Sequence, residues 1–334
     1  MVNVRESVLP GIGVLVVIGL AARALATVVP TSHLILAIVI GLIVGNLYGV
    51  PDWASAGIGT NKLWLEGGIV LMGASVALDR VVDAGPTILI LVIATVMTTI
   101  LTVEALARGA FGIRGKIGSL LAAGSSICGV SAVVATAGSI EADEDQIAYA
   151  AATVLLFDAV TLLAYPALGH LFGLTDKVFG IWAGLTMFST GPVTAAGFAF
   201  SQAAGQWALL VKLTRNALIG LAAIAYALYY IRRSGGERND AVPGGIGYLW
   251  HSFPKFVLGF LGLMLVANTG VLGGAQLASL EHAADWLFLF AFAGLGLDIR
   301  LDELRSTGIK PVLVVLVSLI CVSTVCLFVL TTLF

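Results

Sequence analysis

Charged residues are scarce in this sequence. They account for 11% of the 334 residues, and hydrophobic residues account for 59%. A soluble domain has about 25% charged residues, so this composition excludes an ordinary soluble domain and predicts a polytopic membrane protein. A basic stripe with interleaved aromatic residues is also missing, which excludes a nucleic-acid-binding surface.

Cysteine and catalytic motifs are few as well. The three cysteines all lie in apolar segments, without the spacing of a disulfide framework or a metal site. The sequence contains no HExxH, GxSxG or P-loop motif and no aspartate pair suited to intramembrane proteolysis. We therefore expect neither an enzyme nor a bound cofactor. The missing nucleotide site excludes ATP-driven transport by this chain alone.

The sequence does contain a series of apolar runs. A run of about 20 residues crosses the roughly 30 Å of hydrocarbon in a bilayer. The first run lacks a small-residue cleavage site and is predicted to be a retained membrane helix. A polar stretch at 232–247 predicts a solvated loop. Eleven spans are predicted, at about 7–26, 31–50, 62–79, 85–107, 117–139, 146–172, 178–201, 207–231, 252–271, 283–298 and 309–333.

The distribution of lysine and arginine predicts the orientation. With eleven spans, thirteen of the 17 basic residues fall on one side and only Arg23 and Arg80 on the other, while Lys212 and Arg215 lie inside a span. Cytoplasmic loops carry the excess of basic residues. We therefore predict a multi-pass protein of the prokaryotic cell inner membrane, with its N-terminus in the cytoplasm and its C-terminus outside.

The segment 122–132, Ala-Ala-Gly-Ser-Ser-Ile-Cys-Gly-Val-Ser-Ala, lies midway along the fifth predicted span. Its glycines lower helix propensity, and its serines and cysteine can hydrogen-bond backbone groups that a break would free. One interpretation is a broken helix, whose second half presents free N–H groups and a positive dipole end inside the membrane. The other is a continuous helix whose small residues allow close packing.

Broken helices in transporters often occur at equivalent places in inverted repeats. We accordingly predict an all-α fold with an extra N-terminal transmembrane helix in 1–30. A first five-helix repeat follows in 31–172, with its broken helix near 124–131. A second five-helix repeat occupies 173–334, with its broken helix near 290–298. The two broken helices are expected to cross.

Ionisable residues at membrane depth usually face a cavity, pair with each other or bind something. Lys212 and Arg215 are three residues apart, hence on one face of the eighth span, and Asn216 follows. They indicate either a patch that attracts an anion or side chains that extend to the outer surface. Asp158, central in the sixth span, is either a proton or cation relay or the ion-pair partner of Arg215 or Lys212.

The seventh span is interrupted by Thr190-Gly191-Pro192-Val193-Thr194. Proline removes a backbone donor and kinks a helix, which frees carbonyl groups upstream. We interpret this segment as a helix kink that serves packing against neighbouring helices. The alternative is a third polar element at the site.

Four further features of the sequence are the stretches Gly124–Ala132, Phe179–Gly184, Val211–Asn216, and Ala293–Leu297 continuing to Gly308. Together they resemble the UPF0324 (YeiH-type) membrane proteins, a family labelled as sulfate exporters. The resemblance extends from about Gly41 to Pro311 and implies the fold of bile-acid symporters and sodium/proton antiporters, with a panel domain, a core domain and two crossing broken helices. Family members often carry a His-Glu pair in the seventh span, where this sequence has Phe188-Ser189, so proton coupling can differ here.

These observations together predict a secondary transporter that exports or exchanges a small anion by alternating access. Sulfate or a sulfonate-like substrate is implied by the resemblance alone. Lys212 and Arg215 would supply positive potential, and Asp158 would couple transport to Na⁺ or H⁺. The predicted substrate-binding residues are Ser125, Ser126, Cys128, Gly129, Val130, Ser131, Thr190, Lys212, Arg215, Asn216, Gly294 and Gly296.

Other functions remain open from the sequence. One is a sodium- or proton-coupled cation carrier centred on Asp158, and another is an anion channel. A receptor that binds without flux lacks support, because we find no soluble signalling domain. The expected partners are the small anionic solute, membrane lipid and, by analogy with the fold, a second copy of the chain in a homodimer.

Overall fold

The computed structural model describes residues 4–29, 32–75, 78–113, 115–233, 255–299 and 309–334. Over these residues the protein is all-helical, with 87% helix and no strands. The all-α prediction is therefore confirmed. Most of the predicted loop at 232–247, and the end of the resemblance at 300–308, lie outside the described residues.

Fifteen α-helices follow one another in the part of the chain that the structure describes. A 3₁₀ turn at Gly73–Ser75 extends α4, and π-helical turns at Leu106–Ala110 and Gly124–Cys128 extend α5 and α6. The α-helices are α1 Val4–Ala26, α2 His33–Leu47, α3 Asp52–Ile58, α4 Asn61–Met72, α5 Leu78–Ala105, α6 Lys116–Ala123, α7 Val130–Ile140, α8 Glu144–Leu171, α9 Asp176–Thr186, α10 Thr190–Phe200, α11 Gln202–Asn216, α12 Ile219–Arg233, α13 Phe256–Asn268, α14 Gly274–Asp298 and α15 Ile309–Leu333.

Six helical segments in the described part of the chain are long and apolar enough to cross a membrane. Shorter apolar helices, such as α2 and α13, accompany them. A multi-pass membrane protein is thus supported, while the count of eleven spans and the inverted repeat stay predictions. The six segments are Val8–Ala26, Gly85–Ala110, Glu144–Leu171, Gln202–Tyr230, Gly274–Asp298 and Ile309–Leu333.

The chain forms two compact units, and each is built from several separate segments. Unit 1 comprises Met1–Gly85, Thr194–Gln206 and Lys255–Asp302. Unit 2 comprises Pro86–Val193, Trp207–Pro254 and Glu303–Phe334. The chain passes from one unit to the other within α10 and again within α11. The division into five-helix repeats at 31–172 and 173–334 stays a prediction.

In unit 1, α14 packs along α2 and α4 at very close range. A Cβ atom added to Gly296 would lie 2.2 Å from the carbonyl oxygen of Ile38, and one added to Gly41 would lie 2.4 Å from that of Ala293. Small residues let helix backbones approach this closely. Helix α14 runs unbroken from Gly274 to Asp298, so the broken helix predicted near 290–298 is wrong. The glycines in that region serve packing.

Replacing Gly296 with alanine is expected to lower the melting temperature of the purified protein. The added methyl group meets the backbone of Ile38, which cannot rotate away, and overpacking of this kind costs about 1–3 kcal/mol. The matched control is Gly262→Ala on α13, where an added Cβ meets nothing within 4 Å. Thermal unfolding in detergent would compare the two, and equal melting temperatures would contradict the close packing.

In unit 2, an aromatic and hydroxyl cluster ties α8, α9 and α15 together. The rings of Tyr165 and Trp182 stack with centroids 4.1 Å apart. The Trp182 Nε1–H donates to Ser323 Oγ at 2.9 Å, and the Tyr165 hydroxyl lies 3.0 Å from the same oxygen and 3.0 Å from Thr186 Oγ1. Because Thr186 is the last residue of α9, this cluster fixes where that helix ends.

Candidate functional site

The first interruption of a helix lies where the sequence analysis placed it, between α6 and α7. The π-helical turn Gly124–Cys128 ends at Gly129, which has φ +61° and ψ −135°. This conformation is open almost only to glycine. Helix α7 then begins at Val130, and its first N–H groups have no acceptor within the helix.

The start of α6 is held by a polar cluster. The Arg108 Nε–H donates to Glu104 at 2.5 Å, and Ser119 on α6 donates to the same carboxylate at 2.7 Å. Tyr230 on α12 lies 3.1 Å from Ser119 Oγ. The cluster thus anchors the first half of the broken helix to α5 and α12.

The second interruption lies between α9 and α10. Helix α9 ends at Thr186, Met187 is extended with φ −74° and ψ 157°, and α10 begins at Thr190. The segment 190–194, which we interpreted as a packing kink, is instead the start of a new helix. Proline fits there because the first turn of a helix needs no N–H donor at that point.

The two interruptions meet at Gly129 and Ser189. A Cβ atom added to Gly129 would lie 2.0 Å from Ser189 Oγ and 3.4 Å from Ser189 Cα. The absence of a side chain at residue 129 therefore lets the two chain segments touch. The break near 124–131 therefore contacts the α9–α10 interruption, and the partner predicted for it near 290–298 lies in the unbroken α14.

Arg215 on α11 bridges both interruptions. Its Nε–H and Nη2–H donate to the carbonyl oxygen of Ser126 at 3.2 and 2.7 Å. Its Nη1–H groups donate to the carbonyl oxygens of Gly184 and Met187 at 2.7 and 2.8 Å. These carbonyls have lost their helical partners, so the guanidinium replaces bonds that lipid cannot supply.

Lys212, one turn earlier on α11, also donates to backbone carbonyl groups at both interruptions. Its Nζ–H donates to the carbonyl oxygen of Ile127 at 2.5 Å and also to that of Phe188. Lys212 is 0% exposed and Arg215 is 1% exposed. The alternative in which these side chains extend to the outer surface is therefore wrong.

Asp158 on α8 faces the second interruption. Its Oδ1 accepts the Ser189 N–H at 2.9 Å, which satisfies a free amide just before α10. Its Oδ2 is buried and has no hydrogen-bond partner among the described residues. Asp158 also forms no ion pair with Arg215 or Lys212 within that part of the chain, so the ion-pair interpretation is wrong.

Thr190 connects three elements by its hydroxyl group. Asn216 at the end of α11 donates its Nδ2–H to Thr190 Oγ1 at 3.0 Å, and Cys128 Sγ lies 3.6 Å from the same oxygen. The Oδ1 of Asn216 is buried without a partner among the described residues. Thr190 thus adds a polar group to this cluster, and its membership of a binding site stays a prediction.

The remaining predicted residues differ in exposure. Ser126 is buried and donates its hydroxyl to the carbonyl oxygen of Ala123 at 3.3 Å, and the hydroxyl of buried Ser125 finds no partner in the described chain. Val130 is half-buried and Ser131 is exposed. The N-terminal end of α7 is therefore the accessible edge of the cluster.

Unit 2 brings together all predicted site residues except two. Gly294 and Gly296 belong to α14 of unit 1, where an added Cβ would lie 2.4 Å from Asn61 Cβ and 2.2 Å from Ile38 O. The sequence analysis missed Ser189 and the acceptor carbonyls of Gly184, Met187 and Phe188. The available signal was the Ser-Thr-x-Pro pattern at 189–192, which is typical of a helix start.

The electrostatics of this cluster are unusual for the molecule. Across the described residues, three charged side chains are buried, and all three lie here: Asp158, Lys212 and Arg215. Two positive charges thus face one negative charge. The described chain offers no group of three or more His, Cys, Asp or Glu residues placed to hold a metal ion.

These features define a class: a polytopic α-helical membrane protein in which buried cations hold two interrupted helices together. The chain belongs to the UPF0324 membrane protein family. Its residues 10–315 match the family model described as conserved hypothetical protein 698. The resemblance found in the sequence is therefore confirmed.

Relatives match over most of their length. A UPF0324 membrane protein of Nitratidesulfovibrio vulgaris is 33% identical over 318 residues, which cover 92% of this chain and 88% of the relative. One of Bacillus cereus is 31% identical, covering 94% and 91%. One of Brucella melitensis is also 31% identical, covering 94% and 88%. No solved structure matches the chain.

Proposed function

We propose that this protein is a secondary active transporter that exports or exchanges a small anion by alternating access. The observation that carries the proposal is the charge of the buried cluster, in which Arg215 and Lys212 exceed Asp158 by one positive charge. A buried charge without a counter-charge is costly. An anion bound at the accessible edge of the cluster would balance it.

The backbone supports the same binding site. The free N–H groups at the start of α7 and the dipole of that helix both favour a negative charge beside Val130 and Ser131. Arg215 and Lys212 act on the anion through their field, because four donor contacts of Arg215 and two of Lys212 go to backbone carbonyls. Sulfate and sulfonates are suitable first substrates, since their several oxygens can accept from adjacent N–H and hydroxyl groups.

The test is counterflow of labelled anions in proteoliposomes that contain the purified protein. Sulfate, sulfite, a sulfonate, a carboxylate and chloride would each be loaded inside and offered outside at trace level. The proposal expects saturable exchange of one anion class. Currents far above carrier turnover would indicate a channel, and a lack of exchange for every anion would contradict anion transport.

A second function, a cation-coupled or cation-selective carrier, is favoured by one observation. Asp158 Oδ2 and Asn216 Oδ1 are buried acceptors without partners among the described residues, and both side chains attach to adjacent residues, Ser189 and Thr190. Carboxylate and amide oxygens bind Na⁺ or a proton. In the transporter proposed here, Asp158 is the coupling group.

Replacing Asp158 with asparagine is expected to uncouple transport without removing anion binding. The amide keeps an acceptor for the Ser189 N–H but loses the negative charge that a cation would need. Anion exchange and anion-induced thermal stabilisation should persist, whereas stimulation by a Na⁺ or pH gradient should disappear. The control is Asp176→Asn, an acid at the start of α9. Unchanged gradient dependence in D158N would remove Asp158 from coupling.

We propose the orientation predicted from the basic residues, with the N-terminus in the cytoplasm of a prokaryotic cell and the C-terminus outside. The cargo passes from the cytoplasm outward in the export mode. A cysteine added after Phe334, labelled in intact cells by a membrane-impermeant maleimide, would test the external C-terminus. Labelling only after lysis would contradict it.

A further inference from the structure

Unit 1 contains a separate cavity that the proposed anion site does not use. It has a volume of about 380 Å³ and lies among the starts of α2 and α11, the ends of α4 and α10 and the first half of α14. This size suits a small organic ligand. Its wall combines two carboxylates, Glu281 and Asp285, with the rings of Phe198 and Phe288.

Two glycines let the aromatic rings of the cavity wall lie close to neighbouring helix backbones. The rings of Phe198 and Phe288 lie with centroids 5.0 Å apart and tilted by 30°. A Cβ atom added to Gly205 would lie 2.2 Å from the Phe198 ring, and one added to Gly68 would lie 2.6 Å from the Phe288 ring. Both rings therefore rest directly on a helix backbone. They are held in place before any ligand arrives.

The two carboxylates differ in how they are paired. Asp285 is neutralised, because Arg23 on α1 donates to Oδ2 while His33 Nε2 lies 3.0 Å from Oδ1. Arg23 itself stacks on Trp286 at 4.0 Å. Glu281 receives one hydrogen bond, from Gln202 Nε2–H to Oε1 at 2.6 Å, and its Oε2 has no partner in the described chain.

The cavity thus carries one uncompensated negative charge when His33 and His282, the two histidines that line it, are neutral. An ammonium group can donate to a free carboxylate oxygen, and charge-assisted contacts of this kind are strong. The aromatic rings pack favourably against an apolar group, above all another aromatic ring. From this combination we infer that the unit 1 cavity binds a monovalent organic cation, with a primary ammonium group on Glu281 and an apolar part against Phe198 and Phe288.

The proposed topology places this cavity on one side of the membrane. In that orientation His33 and Phe198 lie at the outer ends of their predicted spans, and Gln202 and Glu281 lie in the outer connections between spans. The ligand would therefore arrive from outside the cell. The inference does not depend on the anion transport proposed above, because its readout is binding alone.

The test uses isothermal titration of the purified full-length protein with 2-phenylethylammonium chloride. The neutral analogue 2-phenylethanol has the same apolar part and controls for partition into detergent. We expect saturable binding of the ammonium compound and none of the alcohol. Glu281→Gln should weaken binding by at least about tenfold, because the charge-assisted contact is lost. Phe198→Leu keeps an apolar wall but loses the ring face, and should weaken binding severalfold.

The matched control is Asp52→Asn, an exposed acid at the start of α3 in the same unit but outside the cavity. It should bind as the unmodified protein does. Equal binding of the alcohol and the ammonium compound, or unchanged affinity in E281Q, would overturn the inference. If E281Q does not fold, F198L decides: full affinity there would overturn it as well.

Discussion

Replacing Gly129 with alanine is expected to stop anion transport and lower the melting temperature. The added methyl group has two separate effects on the structure. The backbone of Gly129, with φ +61° and ψ −135°, is strained for any residue that carries a Cβ, at about 1–3 kcal/mol. The new methyl group would also lie 2.0 Å from Ser189 Oγ and 3.4 Å from Ser189 Cα, so the Ser189 side chain must move and the close approach of the two interruptions is disturbed. Counterflow in proteoliposomes and thermal unfolding measure the two effects.

The control for this variant is Gly138→Ala in the same half-helix, where an added Cβ meets nothing within 4 Å. A second variant separates the two causes. Removing the Ser189 hydroxyl in the double variant G129A/S189A relieves the contact but leaves the backbone strain, so stability should recover only in part. A G129A protein that transports at the unmodified rate would remove the crossing from the proposed site.

Replacing Arg215 with glutamine is expected to have the largest effect on stability. Four hydrogen bonds from the guanidinium to three backbone carbonyls would be lost, and glutamine can replace two at most. Hydrogen bonds from charged donors contribute about 1.5–3 kcal/mol each, and unsatisfied buried carbonyls add to the loss. We expect poor yield, or a melting temperature lowered by much more than in any surface variant.

The variant Arg215→Lys tests whether stability depends on the positive charge of Arg215 or on the geometry of its guanidinium group. Lysine keeps the positive charge but cannot reach three carbonyls with a planar fork. If the planar guanidinium group is needed to reach the three carbonyl oxygens, R215K should be nearly as unstable as R215Q. The control is Arg232→Gln, an exposed arginine near the end of α12, which should unfold as the unmodified protein does. Melting temperatures within a degree of each other in R215Q and R232Q would contradict the structural role of Arg215.

The position of the first interruption could be predicted because its cause is local. Gly129 must adopt a conformation that other residues avoid, and the serines nearby mark the freed backbone. The same reasoning failed near 290–298. Gly294 and Gly296 resemble a break in sequence, but a glycine that allows close packing of α14 on α2 leaves the same pattern. Only the neighbouring helix distinguishes the two cases.

The second interruption was placed at 190–194 but interpreted as a kink, because the junction itself, Met187-Phe188-Ser189, contains no glycine. At this interruption, backbone groups that would bond within a helix bond instead to the side chains of Arg215, Lys212 and Asp158, which lie on other helices. Residues this far apart in sequence cannot be paired by spacing alone. Sequence reasoning did place Arg215, Lys212 and Asp158 inside predicted spans and among the candidate site residues. It could not assign their contacts, which are mainly with backbone groups.

The arrangement of Arg215 also limits how the protein can move. One side chain on α11 holds the ends of α6 and α9, so neither interruption can separate from the other without exposing carbonyl groups to hydrocarbon. The halves of both broken helices on this side, together with α11, must travel as one rigid piece during any transport cycle. For the transporter proposed above, we therefore expect the hinges of the cycle in the connections around this piece.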